Sequence, residues 1–475
     1  MQIKKILNKW KDMTPAAKAS LMLIIAKFFQ KGLSMISGPI FTRIMPSSEY
    51  GIISTFTSWQ SVLFIVATLN MSSGIFNNGM LEYKDDRDSF SFSLLCLANL
   101  TTLIVTVFYF IFYQTLNHLL DMPSILVGAM IVYFFVTPAY EYWMARQRFE
   151  YKYRAMTILI MASSLISVIL AIVFVLLVPS NTKATAKVLT TEFVAISIGV
   201  FFYIYLAFKS KFRIRLKYIK FGLIYSVPLL PHYLSMYVLS SSDRIMISKL
   251  VNTSATAIYN VAHTVAAVLL ILWNSIDASY APWIYQNMDI KNYSVIKRRG
   301  NQIVVLFSAF TVITTLCAPE IIAVLAPAEY YEGVYVIPSV AASVLFTAVF
   351  SLYMRVELYL KKTKIVMWGT IFTAVLNIVL NYVFISKCGY IAAGYTTLVS
   401  YVVLSIIHAC NLKRNGYGEV YDSKFIAIVG ISVIALSLFL TAIYPYGLIR
   451  YGLLLLIIIF VYIKREEINS FRKKK

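Results

Sequence analysis

The stretch AKFFQKGLSMISGPIFTRI, residues 26–44, decides how the chain is read. It is long and apolar enough for a membrane helix, yet Lys27 and Lys31 sit inside it about one helical turn apart. On a helical wheel they share a face with Gln30, Ser34 and Ser37, while Phe28, Phe29, Leu33 and Ile36 cover the rest. A charged residue at the centre of a spanning helix costs roughly 2.5–3.5 kcal/mol, so two ammonium groups require water, a partner or the lipid surface. Two readings follow. In one, the lysine stems snorkel back to lipid phosphates; in the other, the stripe is the cationic wall of a hydrated cavity built to receive an anion.

The rest of the sequence establishes that lipid is the relevant solvent. Of 475 residues, 59% are hydrophobic and 13% are charged, against about 45–50% and about 25% in soluble domains. At about 20 apolar residues per span this is material for about fourteen helices. Apolar runs lie near 19–44, 50–76, 90–113, 124–145, 155–178 and 188–208, then near 221–250, 255–285, 301–325, 335–358, 365–386, 389–411, 424–443 and 447–463. The expected fold class is an all-α polytopic membrane protein. The eighteen or so polar and basic residues before the first run argue against a cleaved signal peptide.

Basic residues set the orientation. If the N-terminus and every second loop share one side, that side collects Lys4, Lys5, Lys9, Lys11, the KSKFRIRLKYIK run at 209–220, KRR at 297–299 and the terminal FRKKK, whereas the opposite loops hold few cations. The positive-inside rule then predicts cytoplasmic termini. The net charge of +22 is dispersed in short clusters beside the spans, a pattern suited to anionic lipids and not to nucleic acid. The four cysteines show neither pairing nor metal spacing and read as small apolar residues.

The basic stretch is also the seam. It predicts an N-lobe at 1–208, a linker at 209–220 lying on the cytoplasmic surface, a C-lobe at 221–411, and two further spans with a basic tail at 412–475. TRIMPSSEYG at 42–51 is echoed by DRIMISKLVNTSATAIYN at 243–260. Six spans separate the two, so the lobes are parallel repeats related by an axis along the membrane normal. Polar stripes recur on the second, seventh and eighth runs. The expected cavity lining is Gln30, Ser34, Ser58, Ser61, His232, Asp243, His263, Asn274 and Asp277, with Pro228 and Pro231 breaking the seventh run. Asp277 reads either as a coupling-cation ligand or as a lysine's counter-ion. Glu141 and Glu357 read as structural groups near helix ends. Neither a phosphate-binding loop nor a metal-binding acidic motif occurs, so no enzyme is expected.

SGPIFTRIMPSSEYG, RFEYKYRAMTILIM, YSVPLLP followed by SSDRIMISKL, and LYLKKTKIVMWGTIFTAVLNIVLNYVFISKCGYIAAGYTTLVSY stand in an order and spacing that resembles the bacterial polysaccharide flippases of the multidrug/oligosaccharidyl-lipid/polysaccharide exporter superfamily. The resemblance implies alternating-access export of undecaprenyl-diphosphate-linked oligosaccharide across the inner (plasma) membrane, with other polysaccharide assembly proteins as partners. It implies Lys27 and Lys31 as diphosphate or acidic-sugar contacts, with Arg244 as a C-lobe partner and Arg43 its repeat counterpart. No cofactor is expected, and coupling to H⁺ or Na⁺ stays open. A multidrug exporter, a lipid II flippase and a non-transporting scaffold for glycan assembly are the competing readings.

Overall fold

The computed structural model describes residues 14–73 and 75–463. Among these the chain is helical from end to end, with short 3₁₀ turns as its only other regular structure. The helices are α1 (Pro15–Ile44), α2 (Ser47–Thr68), α3 (Ile75–Glu82), α4 (Arg87–Ile111), α5 (Tyr113–Leu120), α6 (Ser124–Phe149), α7 (Tyr153–Leu177), α8 (Lys183–Lys209), α9 (Leu216–Ser226), α10 (Leu230–Leu250), α11 (Thr253–Asp289), α12 (Tyr293–Leu316), α13 (Ala318–Leu325), α14 (Ile337–Tyr359), α15 (Thr363–Cys388), α16 (Ala392–Arg414), α17 (Ser423–Thr441) and α18 (Gly447–Ile463).

Twelve helices among the described residues are long and apolar enough to cross a membrane, two fewer than the fourteen spans expected. The two that differ are α10 and α18. α10 has 21 residues, but its Ser240, Ser241, Ser242, Asp243, Arg244 and Lys249 make it too polar. α18 is strongly apolar, with 17 residues among those described, fewer than the roughly 20 that a straight span needs. Pro228 ends α9 in a 3₁₀ turn at Val227–Leu229, and α10 restarts with Pro231 in its first turn, where a missing N–H costs nothing.

Packing divides the chain into two units, Met1–Ala257 and Ile258–Lys475. The division falls past the basic linker because the helices that follow the linker pack on the first unit. α9 lies along α4 and buries Tyr218 and Phe221 against Tyr83 and Phe90. Polar groups fasten the same turn: Tyr218 donates to Asp86 Oδ2 at 2.8 Å, and Arg215 pairs with the same oxygen at 3.0 Å. The exposed side of this segment carries Ile214, Leu216 and Lys220. α10 packs on α2.

The two echoing segments touch each other inside this first unit. Ser47 and Ser254 hydroxyls lie 3.4 Å apart. At Gly51 an added Cβ would stand 1.8 Å from the carbonyl oxygen of Thr253. The obstacle is backbone, which cannot rotate away. Gly51→Ala is therefore expected to destabilise the protein by about 1–3 kcal/mol, read as a lower midpoint of thermal unfolding in detergent.

At one end of the first unit, α4, α6 and α8 are joined by charges. Arg146 pairs with Asp88 and with Glu150, and Lys209 lies 3.8 Å from Asp88. Burial alone would push the Glu150 carboxyl up, but the hydrogen bonds and charges of Lys152 and Arg146 hold it below the usual carboxylate range. In the second unit α14 is almost wholly buried among α12, α16 and α17. α15 joins α16 through Asn377, whose amide donates to Thr397 at 3.2 Å and Ser400 at 3.3 Å.

Candidate functional site

A chamber of about 1020 Å³ opens within the first unit, walled by α1, α2, α6, α7 and α8. Two of the walls present serine-rich polar stripes at helical spacing. α1 contributes Lys27, Gln30, Ser34 and Ser37; α7 contributes Ser163, Ser164 and Ser167. The serine hydroxyls satisfy themselves on their own helix, as Ser37 does on Ser34 O and Ser164 on Ile160 O, so an apolar helix carries a wettable face without leaving donors bare. Along α1 the wall runs from Leu23 to Phe41, and from Lys27 to Phe41 alone it extends about 21 Å, a large part of a bilayer core.

Three cations and two carboxylates lie on this wall: Lys27, Arg148 and Lys187, with Glu141 and Glu192. Lys27 lies in the first half of α1 and Arg148 in the last turn of α6, and Glu141 lies two turns before Arg148 on the same helix. Ser72 donates to Glu141 Oε2 at 2.6 Å. Lys187 sits in the first turns of α8, its ammonium 3.7 Å from the centre of the Phe41 ring and 4.9 Å from that of Tyr50. Aromatic faces attract a cation without neutralising it. Glu192 is 5% exposed and accepts a hydrogen bond from the Gln60 amide at 2.9 Å.

The residues singled out from sequence fall as follows. Lys27, Gln30 and Ser34 line the chamber, and Lys27 donates to Gln30 at 3.4 Å. Lys31 is exposed and lies off the chamber wall. Arg43 donates to Pro39 O and Arg244 to Ser240 O, each at 2.9 Å, one turn back along its own helix; neither lines the chamber. Ser58 and Ser61 are likewise turned to their own backbone, on Ser54 O at 2.8 Å and Thr57 O at 2.7 Å. His232 is partly buried and Asp243 is 1% exposed, both in α10.

His263, Asn274 and Asp277 belong to the second unit. The His263 ring stacks at a tilt 5.9 Å from Tyr259, and Asn274 is exposed. Asp277 pairs with Arg355, whose Nε donates to Oδ1 at 3.0 Å; its partner is thus an arginine of α14 rather than a lysine. Glu357, two residues on, is wholly buried beside His408 and Asn411 near the end of α14, and Glu141 stands on the chamber wall two turns before Arg148, near the end of α6.

Sequence reasoning missed Arg148, Lys187 and Glu192. A signal existed for α8: Lys187, Thr191 and Ala195 recur every four residues with Val188, Val194 and Ile198 beside them, tracing the face that meets the chamber.

The sequence model of the Polysacc_synt family, described as polysaccharide biosynthesis protein, matches residues 16–288, more than half of the chain. That of the MatE family matches residues 228–383. No curated protein sequence matches. Among solved structures, the fold is similar to the lipid II flippase MurJ in an inward closed conformation, with 14% identity, a TM-score of 0.69, and 94% of this chain and 99% of that one covered. It is also similar to an inward-facing multidrug resistance MATE family transporter, with 12% identity, a TM-score of 0.60, and 86% and 95% covered. A third similar structure is a transporter from Pyrococcus furiosus described as having a binding pocket of reverse polarity, with 13% identity, a TM-score of 0.57, and 84% and 95% covered. The chain belongs to the polysaccharide biosynthesis protein family and is a multi-pass membrane protein with the fold shared by these solved structures.

Proposed function

We propose that this protein carries undecaprenyl-diphosphate-linked oligosaccharide from the cytoplasmic to the outer leaflet of the bacterial inner (plasma) membrane by alternating access. The observation that carries the reading is the chamber itself, with Lys27, Arg148 and Lys187 against Glu141 and Glu192. A diphosphate brought into a low-dielectric region needs cations that are already in place. Lys27 and Arg148 offer such a pair near one end, and the serine-rich walls offer hydroxyls of the kind that meet sugar hydroxyls. Lys31, Arg43 and Arg244, which lie off the chamber wall, are read as secondary contacts for the cargo, each contributing less than Lys27.

The lobes of the cycle are read as 1–208 and 221–411, with the linker 209–220 on the cytoplasmic side, both termini cytoplasmic, and 412–475 flanking. The basic loops bind anionic lipids there. The inside-negative potential aids outward passage of an anion by about 2.3 kcal/mol per charge per 100 mV, so no ATP site is required. A surplus of cations on the wall favours anionic cargo over the cationic drugs of a multidrug exporter.

The test is reconstitution. Vesicles holding the purified protein, and an undecaprenyl-diphosphate-linked oligosaccharide with oxidisable sugars, are treated with an impermeant glycan oxidant. The protein is expected to bring the protected leaflet's glycan into reach at least about tenfold faster than empty vesicles do, the effect of roughly 1.4 kcal/mol. An unchanged rate would overturn the reading; acceleration of lipid II alone would transfer it to that substrate.

A further inference from the structure

We infer that Glu192, held by Gln60, is a proton-binding site in the chamber wall, and that its occupancy is linked to anion binding in the same chamber. Glu192 is 5% exposed. Its Oε1 accepts the Gln60 amide at 2.9 Å, while its Oε2 is buried with no hydrogen-bond partner. A carboxylate left half-satisfied in a buried position carries a large penalty, which a proton on the bare oxygen removes. Glu192 also lines the chamber, so chamber water is the nearest source and sink for a proton on its carboxyl group. No other bond changes.

The surroundings do not offer a competing partner for Oε2. Of the elements packed on α8, α6 turns Tyr133, Tyr140, Glu141 and Arg148 to the chamber, α2 turns Tyr50 to it and gives Gln60 to Glu192, and α7 adds only serine hydroxyls there. α4 meets α8 through Asn99, which is engaged with Tyr203 at 2.8 Å. On α8 itself, Lys187 is held over the Phe41 and Tyr50 rings. Among the described residues, no salt bridge reaches Glu192. Asp277 and His263, the groups that sequence alone suggests for ion coupling, lie in the second unit and are already engaged with Arg355 and Tyr259.

The charge count gives the linkage its sign. With Glu192 ionised the wall carries three cations and two carboxylates; with Glu192 protonated it carries three cations and one carboxylate. An anion therefore binds better to the protonated chamber, and by reciprocity a bound anion promotes proton uptake. Protonation of Glu192 stands on its own geometry, whereas the linkage rests on the anionic-cargo reading above.

Two measurements separate them. Infrared difference spectra of the purified protein between acid and alkaline buffer are expected to show a protonated-carboxyl band that disappears in Glu192→Gln and persists in Glu141→Gln. A band that persists in Glu192→Gln, or is absent from the unaltered protein, would overturn the site. Gln60→Leu, which leaves Glu192 in place, is expected to shift the pH at which the band appears; an unmoved midpoint would also overturn it. Inorganic sulfate, whose charge is constant across the neutral range, is the anion probe. Its affinity is expected to fall about fivefold or more as pH rises through the band's midpoint, and to lose the step at that midpoint in Glu192→Gln. Exchange of K⁺ for Na⁺ at fixed ionic strength is expected to leave the curve in place, and a Na⁺-dependent curve would overturn the proton assignment. An intact infrared band with sulfate binding absent or independent of pH would support the proton site and overturn the linkage.

Discussion

Lys27→Gln is expected to cut delivery of lipid-linked glycan to the outer leaflet by about 10- to 100-fold, while Lys31→Gln changes it by less than about threefold. The magnitude is that of a lost hydrogen bond to a charged group, about 1.5–3 kcal/mol, at about 1.4 kcal/mol per factor of ten. The contrast follows from placement. Lys27 stands on the chamber wall with Arg148 and Glu141, and Lys31, four residues on, does not. Lys27→Glu should be worse than Lys27→Gln, because it leaves Arg148 and Lys187 facing three carboxylates. The check is surface glycan in cells of matched expression, followed by the vesicle assay. Equal losses at positions 27 and 31 would mean that both lysines act as lipid-surface anchors, and normal export in Lys27→Glu would favour a scaffold role.

Glu357→Ala is expected to destabilise the fold by about 2–3 kcal/mol, the scale of leaving the hydrogen-bond partners of a lost buried carboxyl unsatisfied. Glu357 and His408 are both 0% exposed, with His408 Nδ1 against Glu357 Oε2, and Asn411 donates to Glu357 Oε1 at 2.6 Å. Removing the carboxyl strands the buried His408 and the part-buried Asn411 on α16. Gly369 leaves room for the imidazole: a Cβ there would stand 3.3 Å from His408 Nε2. Replacing both Glu357 and His408 by leucine is expected to recover most of the loss, since an apolar pair leaves fewer unsatisfied groups. Unfolding followed in detergent against temperature reads both. A single-site loss under about 1 kcal/mol would show that water reaches the pair.

These two expectations mark different depths of legibility. The membrane class, the helical fold, the break at Pro228 and the polar stripe of α1 follow from composition and from the 3.6-residue period, because lipid forces every backbone group to be satisfied within its own helix. The echo between 42–51 and 243–260 was equally readable, although nothing in the sequence says that Ser47 would meet Ser254.

The sequence by itself determined that ammonium groups lie inside an apolar helix, and hence that water or an anion must come to them. Which lysine lines the chamber was decided only in three dimensions. Lys27 and Lys31 carry the same charge in nearly the same local sequence, and they differ only in what α6, α7 and α8 bring alongside. Arg148, Lys187 and Glu192 each look like an isolated charge near a helix end or within a span, and become one chamber wall only when those helices pack together. Charge and periodicity are local properties of the chain, while burial and partnership are set by neighbours that the sequence places far away.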